Sequence, residues 1–190
     1  MSKVNGLVLT GGRSSRMGQD KSKLIYHSKP QREHLSNLLS PYCETVYWSV
    51  NNDQQAELAG AKQPFIVDAF SLSTPLNGIL SAFQHDPKAA WLVVACDMPL
   101  ITNKSLDALV AGRNTKKLAT VFYDSDGEEP EPLLGIYEPQ FWPILQQAVL
   151  EGHYSPRKLL QLNDTELLVA PDIRELTNVN DPQARARLGL

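Results

Sequence analysis

Val4-Asn5-Gly6-Leu7-Val8-Leu9-Thr10-Gly11-Gly12-Arg13-Ser14-Ser15-Arg16-Met17-Gly18-Gln19-Asp20-Lys21 is the stretch that decides the fold. Its first six residues form a short apolar run that reads as a buried strand. The strand ends on two consecutive glycines, and Arg13, Arg16 and Lys21 follow. Without a Cβ, a glycine pair lets backbone amides come close to an anion, and the cations can neutralise a polyphosphate. The spacing excludes two familiar phosphate loops. Gly12 is followed by Gly18 but then by Gln19 and Asp20, where a P-loop needs Lys and Ser or Thr, and no G-x-G-x-x-G is present. A glycine-rich turn with solvated charges would share this composition. The concentration of cations with no acid before Asp20 favours a nucleotide phosphate.

Composition sets the outer limits. A chain of 190 residues suits one domain, here residues 1–190, and a domain of that size buries roughly 70% of its unfolded surface. Net charge is −3, so no overall basic field exists to hold nucleic acid. The N-terminal cations fit a small anionic ligand better than a duplex. Cys43 and Cys96 are far apart and form no C-x-x-C, and Cys96 lies in an apolar run, so a buried thiol and a reducing compartment are expected. His27, His34, His85 and His153 show no metal-ligand spacing, and no zinc site is expected. No apolar run approaches the ~20 residues of a membrane span, and no signal-peptide core is seen at the N-terminus. A cytoplasmic protein is expected.

Apolar segments alternate with helical patterns along the chain. Candidate strands are Val4–Leu9, Thr45–Val50, Pro64–Val67, Trp91–Ala95, Leu118–Tyr123, Leu133–Tyr137 and Glu166–Val169. Four groups share helical faces: Leu35, Leu38 and Leu39; Leu76, Ile79, Leu80 and Phe83; Leu106, Leu109 and Val110; Phe141, Ile144, Leu145 and Val149. Thr74-Pro75, Ser155-Pro156 and Asp181-Pro182 each read as a cap followed by proline at the first helical position. The alternation predicts an α/β fold with a mostly parallel sheet and helices on both faces. Tyr123 to Pro132 reads as a polar loop.

Open parallel sheets bind ligands at the carboxyl ends of their strands. The Gly11-Gly12 turn, Asp68 after Phe65-Ile66-Val67, and Asp97 after Trp91–Cys96 all fall at such ends, so one cleft can gather them. Asp97 is the sharpest residue. Magnesium takes one or two carboxylates together with substrate phosphate oxygens, which suits a strand-end aspartate. An aspartate capping the turn before Pro99 would look the same in isolation; the glycine pair favours the metal. Asp68 either meets a nucleoside or starts the loop to Thr74.

The motif order resembles the molybdenum cofactor guanylyltransferases, the MobA-like nucleotidyltransferases. Leu9-Thr10-Gly11-Gly12-x-Ser14-x-Arg16-Met17-Gly18-x-Asp20-Lys21 is similar to their signature, and Thr74-Pro75-Leu76-Asn77-Gly78 to their Gly-Pro-Leu-x-Gly segment. Ala95-Cys96-Asp97-Met98-Pro99, Pro132-Leu133-Leu134-Gly135-Ile136-Tyr137, Ser155-Pro156-Arg157-Lys158-Leu159-Leu160 and Asn178-Val179-Asn180-Asp181-Pro182 resemble later family segments. The resemblance implies a Rossmann-like three-layer transferase that joins GMP from Mg-GTP to molybdopterin or its molybdenum-loaded form, releasing pyrophosphate. Carried over by residue, it implies that Leu9, Thr10, Gly11, Gly12 and Lys21 hold the nucleotide. Asp68 would lie on the nucleoside side, with Ser49 where some members place an asparagine. Asp97 would bind magnesium, Arg16 would stabilise phosphate charge, and Asn178 and Asn180 would help hold the pterin. Arg16, Lys21 and Asp97 are thus the expected catalytic set. Molybdoenzymes that receive the product are the implied partners, and a monomer is expected.

Three departures bear on nucleotide choice. Thr10 replaces the usual alanine and adds a hydroxyl, Thr74 replaces the glycine before Pro-Leu, and Ser49 stands in for asparagine. A cytidylyltransferase acting on molybdopterin, a sugar-1-phosphate nucleotidyltransferase and a non-catalytic nucleotide or pterin carrier are the competing readings.

Overall fold

The computed structural model describes residues 4–10, 20–58, 60–124, 126–180 and 182–187. One sheet of seven strands runs through it. In chain order the strands are β1 (Val4–Leu9), β2 (Val46–Val50), β3 (Phe65–Val67), β4 (Ala90–Ala95), β5 (Ala119–Tyr123), β6 (Pro130–Tyr137) and β7 (Thr165–Leu168). Their spatial order is β3-β2-β1-β4-β6-β5-β7. The pairs β1·β2, β1·β4, β2·β3 and β5·β7 are parallel, and β6 alone runs against its neighbours β4 and β5. The expected mostly parallel sheet is therefore present.

Helices cover both faces because the strands are apolar on both sides. Leu7, Leu9, Trp91, Val93 and Ala95 pack with helix α3 (Leu76–His85), α5 (Trp142–Leu150) and α6 (Pro156–Leu162). The intervening Val8, Leu92 and Val94 pack with α1 (Gln31–Leu39) and α4 (Asn103–Ala111) on the other face. The period of two along each strand assigns alternate residues to opposite cores. Helix α2 (Asn52–Glu57) links β2 to β3, and α7 (Pro182–Arg187) is the last described element. No helix among the described residues is long and apolar enough to cross a membrane.

Some sequence expectations need correction. The strand expected over Leu133–Tyr137 starts at Pro130, so the polar loop is only Asp124 to Glu129. Tyr123 pairs with Pro130 across a register shift, and Asp124 N–H donates to Glu129 O at 2.6 Å. Proline suggests a loop, yet it is tolerated at a strand start, where no ladder donor is required of it. Thr74 does not cap α3 with its side chain: its carbonyl accepts from Asn77 N–H at 3.1 Å, and its Oγ1 is buried without a partner. Ser155 does cap α6, accepting from Lys158 N–H. Asp181 lies outside the described residues. Val110, expected on the buried face of α4, is 39% exposed.

Strand order reverses between β1 and β4, since the chain moves outward from β1 to β3 and then returns to the other side of β1. That reversal opens a crevice at the carboxyl ends of these strands. Thr10 and Asp97 flank it directly, and Asp68 stands at the same end after β3.

Candidate active site

Cys96 N–H donates to Leu9 O at 3.2 Å, so Asp97 leaves the sheet beside Thr10. Asp97 O accepts from Val179 N–H at 2.7 Å, which docks the Asn178–Asn180 segment onto it. Lys21 Nζ donates to Asn180 Oδ1 at 2.8 Å. Residues 21, 97 and 180 thereby meet at one place. Burial pushes the Asp97 carboxyl above its ordinary value, and the Lys21 ammonium opposes the shift. Asp97 Oδ1 is buried with no hydrogen-bond partner, as are Asn178 Oδ1 and the Tyr26 hydroxyl. Unpartnered buried oxygens cost free energy unless a ligand satisfies them.

Gly11, Gly12 and Arg16, with Arg13, lie outside the described residues. The chain resumes at Asp20, whose Oδ1 accepts from Ser22 N–H at 3.0 Å and Ser22 Oγ at 2.7 Å. These bonds cap the 3₁₀ turn Lys21–Lys23 that carries the lysine. Burial works to raise the Asp20 carboxyl, but hydrogen bonds from Gln54 and Ser22 and the nearby Lys23 outweigh it and hold the carboxyl below its usual value.

A cleft of about 620 Å³ lies beside this point, lined by Leu9, Ser49, Asp68, Thr74, Asn77 and Gly78 among others. That volume is in the range of small-molecule sites. Ser49 Oγ donates to Asp68 Oδ1 at 2.8 Å. Burial raises the Asp68 carboxyl, and the Ser49 bond works the other way. Asn77 shapes the far wall: its Oδ1 accepts from Phe70 N–H at 3.0 Å and its Nδ2 donates to Leu72 O at 3.1 Å and to Phe70 O. The Thr10 hydroxyl, read from sequence as standing beside a nucleotide, donates to Ser49 O at 2.6 Å. Thr74 lines the cleft.

Gly78 is fixed by close approach. A Cβ there would lie 2.3 Å from Ser49 Oγ and 2.7 Å from Leu9 Cδ2. Gly78→Ala therefore pushes α3 off the strand ends or displaces Ser49 from Asp68. We expect a loss of about 1–3 kcal/mol of stability in urea denaturation, with weaker nucleotide binding by calorimetry. Unchanged values for both would show that the helix has slack.

The family model for the MobA-like NTP transferase domain matches residues 6–168. The chain belongs to the MobA-like NTP transferase family. It is 33% identical over 182 residues to a molybdenum cofactor guanylyltransferase from Pseudomonas fluorescens, covering 93% of this chain and 89% of that one. It is 34% identical over 178 residues to a molybdenum cofactor biosynthesis bifunctional protein from Synechocystis, covering 94% of this chain. It spans about half of that bifunctional relative (51%). Its fold is similar to the crystal structure of molybdopterin-guanine dinucleotide biosynthesis protein A from Archaeoglobus fulgidus, with a TM-score of 0.79, 23% identity and 96% and 95% of the two chains covered. As a member of this family, the chain is a nucleotidyltransferase.

Within this family member, a buried carboxyl stands on the β6 side of the site. Arg157, from the segment Ser155–Leu160, donates to Asp124 and lies 3.8 Å from Glu131 Oε2. Glu131 is 3% exposed. Burial pushes its carboxyl up to about 7, against the Leu133 N–H bond and the Arg157 charge. Glu131 and Gln54 were both missed as site neighbours by sequence reasoning. Glu131 hid among prolines, while Asn51-x-x-Gln54 carried a legible signal, the spacing of a capping box.

Proposed function

We propose that this protein transfers GMP from GTP to the terminal phosphate of molybdopterin or its molybdenum-loaded form, releasing pyrophosphate. Residues 1–190 would act as one transferase domain. The observation that carries the reading is the meeting of Lys21, Asn180 and the unpartnered Asp97 Oδ1 at the strand-order reversal, next to a nucleoside-sized cleft.

Magnesium fits the residues present. Asp97 Oδ1 is a hard anionic oxygen with free lone pairs and buried surroundings, and Mg²⁺ takes one or two carboxylates plus phosphate oxygens. Asp97 would hold it, and when bound there it would neutralise charge on the triphosphate. The remaining work falls to the chain. The Lys21 ammonium offsets phosphate charge, and Gly11, Gly12 and Arg16 are proposed to do the same from the loop. Asp68 and Ser49 face the nucleoside, and Asn178 and Asn180 orient the pterin.

The acceptor phosphate is already an anion near neutral pH, so no protein nucleophile is required. Its oxygen attacks the α-phosphorus of GTP as the bond to the β-phosphate oxygen breaks, and the electron pair leaves on pyrophosphate. Alignment and charge neutralisation are then the main contributions.

Pyrophosphate release should be measured with GTP, CTP and ATP, each with and without Mg²⁺ and molybdopterin, alongside thermal shifts. GTP at about 100 times its dissociation constant should stabilise the fold by about 2.7 kcal/mol, and only GTP with Mg²⁺ and molybdopterin should turn over rapidly. Equal turnover of CTP would favour a cytidylyltransferase. GTP binding without turnover would favour a carrier.

A further inference from the structure

We infer that Gln54 is a positioning residue of the transfer reaction, holding the Lys21 turn in register with the carboxyl end of β1; this rests on the transferase reading above. Gln54 is buried, 7% exposed, at the third position of α2. Its Oε1 accepts from Asn51 N–H at 3.1 Å while Asn51 Oδ1 accepts from Gln54 N–H at 2.9 Å, the reciprocal pattern of a capping box. That pattern uses only the carbonyl half of the side chain. The amide half does something a cap does not need: Nε2 donates to Thr10 O at 3.2 Å and to Asp20 Oδ2 at 3.0 Å. One NH₂ group therefore bridges the residue that follows β1 and the residue that caps the lysine turn.

The chemistry of the position separates this role from helix capping. Glutamate serves a capping box as well as glutamine does. Here a carboxylate would face the Thr10 carbonyl and the Asp20 carboxylate, with no hydrogen to offer either. Only an amide satisfies Asn51 on one side and both oxygens on the other. Asp20 in turn spends Oδ1 on Ser22, so Oδ2 is the oxygen left to fasten the turn. A second tie between the turn and α2, Lys23 to Glu57, is exposed on both sides, and exposed pairs contribute little. The consequence runs to the reacting end, because Lys21 follows Asp20 directly and reaches Asn180 from this turn.

The test uses the intact chain with Q54L, Q54E, D20N, the double variant Q54E/D20N, and K23A. Turnover with Mg-GTP and molybdopterin is read beside amide exchange at Ser22. Losing a hydrogen bond to a charged group should lower kcat about 10- to 100-fold in Q54L and Q54E. KM for molybdopterin should stay near wild type, and Ser22 exchange should be faster by about tenfold or more. Q54E/D20N restores the Gln54–Asp20 bond with donor and acceptor exchanged, and should recover about tenfold over Q54E. K23A should stay within about twofold of wild type. Near-normal kcat and unchanged Ser22 exchange in Q54L would overturn the proposal, as would a Q54E loss that D20N does not relieve. If wild-type protein fails to turn over GTP, the transferase reading fails, and Ser22 exchange in Q54L still decides whether Gln54 holds the turn.

Discussion

Asp97→Ala should abolish magnesium-dependent pyrophosphate release, by about 10³-fold or more, because its proposed role is to stabilise charge at the phosphates. The fold should survive the change. Asp97 Oδ1 has no hydrogen-bond partner, the backbone bond to the carboxyl comes from residue 97 itself, and the bond that docks residue 179 is made by the main-chain carbonyl. Asp97→Asn sharpens the test by keeping the shape and removing the charge. Burial raises the Asp97 carboxyl, Lys21 opposing, so the folded chain keeps a proton that the unfolded chain has already lost. Stability of the metal-free protein therefore falls as pH rises from the unfolded value through the folded one. Asp97→Asn should be more stable than wild type near pH 8 and no more stable near pH 3.5, in urea titrations without metal. A variant that is inactive yet more stable would identify Asp97 as strained in favour of function. Near-normal turnover of either variant in magnesium would end the metal assignment.

Lys21→Met should lower kcat/KM for GTP about 10²-fold, the usual cost of removing one charged donor from a phosphate site. The effect is separable from stability, because the Lys21–Asn180 bond is exposed and adds little to folding. A second consequence follows from the same pair of residues. The ammonium is the charged group that opposes the upward shift of Asp97, so its removal moves that ionisation to higher pH. The acid limb of the rate profile should then move to higher pH in the variant. Stopped kinetics across the pH range, with a calorimetric GTP titration, read both effects. Unchanged GTP affinity and an unmoved acid limb would show that Lys21 serves only to hold Asn180.

Most strands were legible as short apolar runs, most plainly where both sides are buried. Leu7, Val8 and Leu9 and the run from Trp91 through Ala95 have apolar residues at every core-facing step, because each feeds two hydrophobic layers. The direction of β6 was not legible, since periodicity carries no sign, and its first residues hid behind prolines. In the site, Asp68 and Asp97 could be named from their place at strand ends, and Ser49 only through the family resemblance. The Ser49–Asp68 bond could not, because it joins residues on different strands and depends on β2–β3 register. Thr10 shows the same limit. Its hydroxyl was visible in sequence, but its use depends on the Ser49 carbonyl one strand away. Gln54 announced its cap and concealed its amide, whose partners lie 34 and 44 residues distant.

A crystal structure with Mg²⁺ and a non-hydrolysable GTP analogue tests the central claim most directly. Asp97 Oδ1 is predicted to coordinate the metal together with phosphate oxygens, Lys21 Nζ to leave Asn180 for a phosphate, and guanine to occupy the cleft between Asp68 and Thr74. A metal held away from Asp97, or a nucleotide seated outside that cleft, would contradict it.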